Sequence, residues 1–156
     1  MSAGRATASG KRLQSCPHRA LSADFLLIAG SAPLVMQKNV PTRDEADKYL
    51  DDYKKRVTTD LDANDFLYAV SASRNYDPSP ALDKITAPVM FINSADDFIN
   101  PPELRIAERE IKKVKKNGRF VLLPISNQTH GHGTHTDAAV WQQYLNDLLE
   151  QTQAKH

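Results

Sequence analysis

Two segments of this 156-residue chain hold residue types that do acid–base chemistry. The first is Ser94-Ala95-Asp96-Asp97-Phe98-Ile99-Asn100-Pro101, which follows an apolar run. The second is Thr129-His130-Gly131-His132-Gly133-Thr134-His135, which precedes an amphipathic run. A carboxylate that accepts a hydrogen bond from an imidazole Nδ1–H fixes the ring's tautomer and stabilises the imidazolium that forms on proton uptake. Nε2 is then free to act as general base. Asp97 lies on the turn leaving the apolar run and is favoured over Asp96 as the carboxylate. His132 lies between two glycines, which let an imidazole project from a tight loop, and is favoured over His130 and His135. Together they are expected to be the acid and base of a Ser-His-Asp triad. Its nucleophile is missing: no Gly-x-Ser-x-Gly turn occurs in the sequence, and Ser31, Ser94 and Ser126 lack the glycine flanks of a strand-to-helix elbow.

Plainer roles compete for the same residues. Asp96 and Asp97 suit turn caps, and the three histidines suit a surface loop. The order of the segments, each expected at the carboxyl end of a strand, favours the acid–base reading. A zinc site is the other chemical alternative, with His130, His132 and His135 as imidazole ligands and Asp96 or Asp97 completing a tetrahedral shell. The flanking glycines leave such ligands unorganised, so no metal and no cofactor are expected. Cys16 is the single cysteine. It excludes an intrachain disulfide, and nothing in its surroundings orients it as a nucleophile.

The elements that must position these residues are legible in the spacing. Thr42 and Glu45 form a capping box, followed by Ala46, Tyr49, Leu50, Tyr53 and Val57 at helical intervals. A second helix is predicted over 63–74, with Phe66, Leu67, Val70 and Tyr68 on its packing side, ended by Asp77-Pro78-Ser79-Pro80. The continuous apolar run 89–92 predicts a buried parallel strand. Asn100, Pro101 and Pro102 then open a helix with an inner stripe of Leu104, Ala107, Ile111 and Val114. Its C-terminal lysines, Lys112, Lys113, Lys115 and Lys116, complement the helix dipole, and Asn117-Gly118 supplies the stop. A second strand is predicted over 120–123. A last helix opens at Thr136 and Asp137 and packs through Trp141, Leu145, Leu148 and Leu149. Strand, helix, strand predicts a right-handed βαβ unit.

Composition bounds the partners. Hydrophobic residues make up 40% of the chain and the net charge is +1, which gives no case for nucleic acid or an anionic surface. The longest apolar stretch, 25–36, is interrupted by Gly30, Ser31 and Pro33, too short to span a bilayer. Residues 1–23 carry Arg5, Lys11, Arg12 and Arg19 and a single acid-free stretch of small residues before Asp24. They read as a disordered tail or as an export or transit segment, which leaves the location open between cytoplasm and export.

An ordered set of motifs carries a family likeness: Asp62-Ala63-Asn64-Asp65-Phe66-Leu67-Tyr68, Asn75-Tyr76-Asp77, Ala87-Pro88-Val89, Ala95-Asp96-Asp97-Phe98-Ile99-Asn100-Pro101-Pro102-Glu103 and Gly131-His132-Gly133. The set resembles the C-terminal portion of homoserine O-acetyltransferase-like α/β-hydrolases. The resemblance implies an α/β class and a partial α/β-hydrolase fold: C-terminal strands and helices of the parallel sheet plus a helical cap segment. It implies a tail or targeting segment over 1–30, a helical cap segment over 31–80 and the C-terminal part of the hydrolase core over 81–152. It also implies acyl transfer or ester hydrolysis on a small-molecule acyl ester, with Asp97 and His132 as triad members. One position departs from the family: an aspartate tends to follow the catalytic histidine there, and here that place is Gly133, so recognition of an amino-acid acceptor does not carry over. Without the serine elbow the chain is expected to be a fragment that is inactive alone and is completed by an N-terminal half. An exposed sheet edge, open to self-association, is expected as well. A non-catalytic interaction module and a histidine-rich metal-binding protein are the alternatives.

Overall fold

In the computed structural model, which describes residues 18–115 and 117–153, the chain is mixed α/β with a small parallel sheet. The elements in chain order are α1 (His18–Gly30), α2 (Pro33–Asn39), α3 (Arg43–Asp60), α4 (Ala63–Ser73), β1 (Val89–Ser94), α5 (Ile106–Glu110), β2 (Gly118–Leu123) and α6 (Ala138–Gln153), with short 3-10 turns between them. Expectations for Arg5, Lys11, Arg12, Cys16 and Lys116 lie outside the described residues. The chain divides into two compact units: Met1–Ile28 with Val40–Tyr76, and Ala29–Asn39 with Asp77–His156.

The helical unit is built from local signals. Thr42 Oγ1 accepts the Glu45 N–H at 3.3 Å and Glu45 Oε2 accepts the Thr42 N–H at 3.1 Å, the predicted capping box. Asp62 caps α4 in the same manner, its Oδ1 accepting from Asn64 N–H at 2.7 Å and Asp65 N–H at 3.3 Å. Ala46, Leu50, Tyr53 and Val57 share the half-buried face of α3, and Tyr53 stacks on Tyr49. The packing side expected for α4 is less covered: Phe66 is half-buried, but Leu67, Tyr68 and Val70 are exposed. The expected tail differs from what is seen, since residues 18–30 are helical. Their Ala- and Leu-rich run holds no proline and no glycine before Gly30. Ala23 is buried, and Asp24 pairs with Lys54 of α3 at 3.0 Å. The boundaries differ too. Residues 31–39, expected in the helical segment, belong with Ala29 and Gly30 to the sheet unit, and the unit break falls after Tyr76 rather than at 80.

In the sheet unit β1 and β2 pair in parallel over their whole length, Val89 opposite Gly118 and Ser94 opposite Leu123. Parallel strands require a crossover connection. The single helix expected there is instead three short pieces: a 3-10 turn over Pro102–Leu104, α5, and a 3-10 turn over Ile111–Lys113. The break is at Arg105, whose φ of 54° puts a non-glycine residue in the left-handed region. Of the predicted inner stripe, Val114 is buried but Leu104 is 59% exposed. Short helices depend on packing for their stability, and here the stripe lacks cover at its start. Two of the lysines answer to nearby carboxylates rather than to a long helix dipole: Lys112 lies 3.8 Å from Glu108, and Lys113 pairs with Glu110. Gly118 is no left-handed stop either. It is required by close approach, because a Cβ there would run into the carbonyl oxygen of Ile111. The sheet faces are only partly covered, with Phe91 39% and Leu122 43% exposed.

Candidate active site

β1 ends in two polar residues, and a tight turn follows, closed by the Asp97 N–H donating to the Ser94 carbonyl at 3.1 Å. The turn aims the Asp97 carboxylate back at its own backbone. Oδ1 accepts from the Ile99 N–H at 2.8 Å and the Asn100 N–H at 3.0 Å. Oδ2 accepts from Asn100 Nδ2 at 3.3 Å and lies 3.1 Å from His132 Nδ1. Asp97 is 4% exposed. Burial pushes its carboxyl upward, but the hydrogen bonds from the Asn100 backbone, His132, the Ile99 backbone and the Asn100 amide outweigh it and hold the group below its ordinary value.

His132 is delivered by the loop after β2. Gly131, directly before it, has φ of 62°. A Cβ there would stand 2.6 Å from the Ser31 carbonyl oxygen and 3.2 Å from that of Asp96. Only glycine tolerates both the angle and the approach. Gly133 differs from expectation: a Cβ there would meet nothing closer than 3.8 Å, so that flank is not sterically required. An Nδ1–H donating to Asp97 turns the Nε2 lone pair outward, and among the described residues no hydrogen bond occupies it. His132 lies in a cleft of about 350 Å³ whose lining includes Met90, Ile92, His135 and Trp141.

The structure brings Asp97 and His132 together and sends the other candidates elsewhere. Asp96 is buried and accepts from Ser94 Oγ. Thr134 Oγ1 lies 3.4 Å from that same hydroxyl and accepts the His130 N–H at 2.8 Å. The His130 ring is 4.0 Å from Asp137. His135 Nδ1 bonds the His132 carbonyl, with the two rings tilted at a centroid distance of 4.9 Å. Among the described residues no three His, Cys, Asp or Glu side chains gather where they could hold a metal ion, so the zinc set His130, His132 and His135 is not assembled. Among them too, no helix is long and apolar enough to cross a membrane.

Asn93 escaped sequence reasoning, and Asn100 reads from sequence only as a helix cap; the cap position instead falls to Pro101, with no side-chain cap, and the Asn100 amide turns to Asp97. Asn93 is 8% exposed; its Nδ2 donates to the Asn100 carbonyl at 2.7 Å and its Oδ1 accepts the Ser94 N–H at 2.9 Å. The available signal was an asparagine closing an apolar strand, a residue depleted there. No family model, curated protein or solved structure matches the chain.

Proposed function

We propose that Asp97 and His132 are the acid and base of a serine acyl-transfer machine of the homoserine O-acetyltransferase-like α/β-hydrolase kind. In this reading the nucleophile comes from polypeptide outside these 156 residues. The observation that carries the reading is the 3.1 Å approach of His132 Nδ1 to a buried carboxylate, made between the loops that follow two parallel strands. That is where open α/β sheets hold functional groups.

The chemistry follows from the pair. A serine hydroxyl held near Nε2 gives its proton to His132 as its oxygen attacks an acyl carbonyl. Asp97 stabilises the imidazolium, and His132 returns the proton to the leaving group. A water or an acceptor hydroxyl repeats the cycle to release the acyl group. Base catalysis of this kind contributes about 10²–10⁴-fold.

The test is covalent labelling with a fluorophosphonate, which reacts with activated serines. The full chain alone should take up no label and turn over no p-nitrophenyl ester. Mixed with a polypeptide carrying a strand and a Gly-x-Ser-x-Gly turn, it should support labelling of that serine, lost with His132→Ala. Esterase activity of the chain alone that disappears in His132→Ala would overturn the external nucleophile.

A second reading, a non-catalytic interaction module, draws on exposed apolar surface. Among the described residues the buried hydrophobics are Ala23, Ala32, Val114 and Leu123, while Phe91, Ile106, Leu122 and others stay open. Stable association with an upstream half whose labelling ignores His132→Ala would favour it.

A further inference from the structure

Among the described residues β1 has a strand neighbour on one side only. We propose that its free side docks a second copy of this chain, β1 against β1 in antiparallel sense about a twofold axis at Phe91, so that one sheet runs through both copies. The proposal stands whether or not Asp97 and His132 act as acid and base.

The backbone alternation of β1 says which groups are free. The Val89 N–H donates to the Asn117 carbonyl at 2.8 Å, and the Ala95 N–H donates to the Leu123 carbonyl at 2.9 Å. With the strands in parallel register between those bonds, the N–H and C=O groups of Val89, Phe91 and Asn93 turn to β2. Those of Met90, Ile92 and Ser94 turn to the free side. Ser94 is already served: its N–H donates to Asn93 Oδ1 at 2.9 Å, and its carbonyl accepts the Asp97 N–H at 3.1 Å. Met90 and Ile92 are left, and among the described residues nothing takes up their outward groups. The cleft beside His132 runs along this strand and is lined by every β1 residue from Met90 to Ser94.

The occupant follows from matching those groups to themselves. In an antiparallel pair, opposite residues whose backbone groups face each other exchange both bonds. A twofold at Phe91 sets Met90 opposite Ile92 of the second copy and Ile92 opposite its Met90, so every free N–H meets a free C=O. Ser94, already satisfied, then falls opposite Pro88, which has no N–H to offer. A shift of one residue loses this match. A twofold at Ile92 sets Met90 against Ser94, whose groups are taken, and a twofold at Met90 sets Ile92 against Pro88. At the chosen axis Phe91 meets its own counterpart in a non-hydrogen-bonded pair, the closer kind, where aromatic side chains stabilise one another. Its ring is 39% exposed and stacks on Phe120 at 6.1 Å between centroids, so the two copies join their rings in a row on one face of the sheet. Proteins keep edge strands apart with charges and prolines. Val89–Ser94 holds neither, whereas β2 holds Arg119.

The experiment uses the full chain. Sedimentation velocity of the wild type across a concentration series should show monomer and dimer in exchange. In a Cys16→Ser background, which removes the single native cysteine, Phe91→Cys should give a disulfide dimer on mild oxidation. Opposite Cα atoms in such a pair stand about 4.5 Å apart, within the span of a disulfide. Val121→Cys, at the centre of the free side of β2, should not crosslink. Phe91→Lys should weaken the dimer about tenfold, because it removes the ring pair and sets like charges opposite. Met90→Pro should abolish it by removing an outward N–H that the β1–β2 ladder does not use. A wild type that stays monomeric up to about 1 mM would overturn the proposal. So would crosslinking through Val121→Cys in place of Phe91→Cys, or a dimer indifferent to both Phe91→Lys and Met90→Pro. A monomer that instead captures a polypeptide carrying a serine turn, and loses it with Met90→Pro, would give this side to a different chain and also overturn the proposal. Far-ultraviolet circular dichroism checks the folding of each variant. Phe91→Lys, at a more exposed position than Met90, decides the matter if Met90→Pro does not fold.

Discussion

Replacing Gly131 by alanine tests whether backbone geometry, rather than side-chain choice, delivers His132. Two costs combine. The left-handed conformation at φ 62° costs a residue with a Cβ about 1–2 kcal/mol. The new Cβ would also stand 2.6 Å from the Ser31 carbonyl oxygen, 2.9 Å from its carbonyl carbon and 3.2 Å from the Asp96 carbonyl oxygen. These are backbone atoms that cannot rotate away, and overpacking of this kind costs about 1–3 kcal/mol. The sum is a destabilisation of about 2–5 kcal/mol on these two principles. Gly133→Ala is the built-in control, with its Cβ meeting nothing closer than 3.8 Å and no positive φ. Urea unfolding followed by Trp141 fluorescence reads both variants. Trp141 is the single tryptophan, and its indole N–H donates to the His135 carbonyl at 3.2 Å, so it reports on this loop. If Gly131→Ala falls within about 0.5 kcal/mol of Gly133→Ala, the size of an ordinary surface substitution, the argument that Gly131 sets the loop is refuted.

Acid should weaken the fold through Asp97. Its carboxyl is held below the ordinary value, so its contribution is fully present above the unfolded value and disappears as pH falls through the lower folded one. Stability measured from about pH 5 down to about pH 2 should therefore fall more steeply in the wild type than in Asp97→Asn; parallel slopes would remove Asp97 from the account. Thr42→Ala should cost about 1 kcal/mol by breaking the capping box, with Thr42→Ser retaining most of it, as urea unfolding monitored by helical circular dichroism would report.

What the sequence made legible was local or periodic. The capping box needs only Thr42 and Glu45, and α3 begins where they put it. The apolar run at Val89 and the later run into Leu123 needed only length and composition to be read as parallel strands. Asp97 and His132 could be singled out because turn position and glycine flanks are visible in the chain. The crossover was misread because its stripe is periodic, while the structure breaks it at Arg105 and leaves Leu104 uncovered. Periodicity states what a helix would bury, not whether anything is there to bury it against. The roles of Asn93, Asn100 and Thr134 depend on which backbone groups come within reach after the strands pair. Residue type alone does not carry that.

The distribution of burial gives these ties their weight. Near the strand ends the buried residues include six polar ones, Asn93, Ser94, Asp96, Asp97, Thr129 and Thr134, beside the apolar Leu123, whereas the sheet's own Phe91 and Leu122 remain substantially exposed. In most domains apolar packing sets the framework, and polar groups are fitted into it. Here the strand-end cluster is the better-buried part, and its hydrogen bonds are directional where apolar contacts are not. Asn93 ties β1 to the acid turn, and Thr134, close to the Ser94 hydroxyl, accepts the His130 N–H of the histidine loop. The spacing of Asp97 and His132 thus rests on hydrogen bonds made within the sheet unit. Those bonds use none of the exposed apolar side chains on the sheet faces, such as Phe91 and Leu122. A partner that covers those faces would add stability without having to create the geometry of the pair.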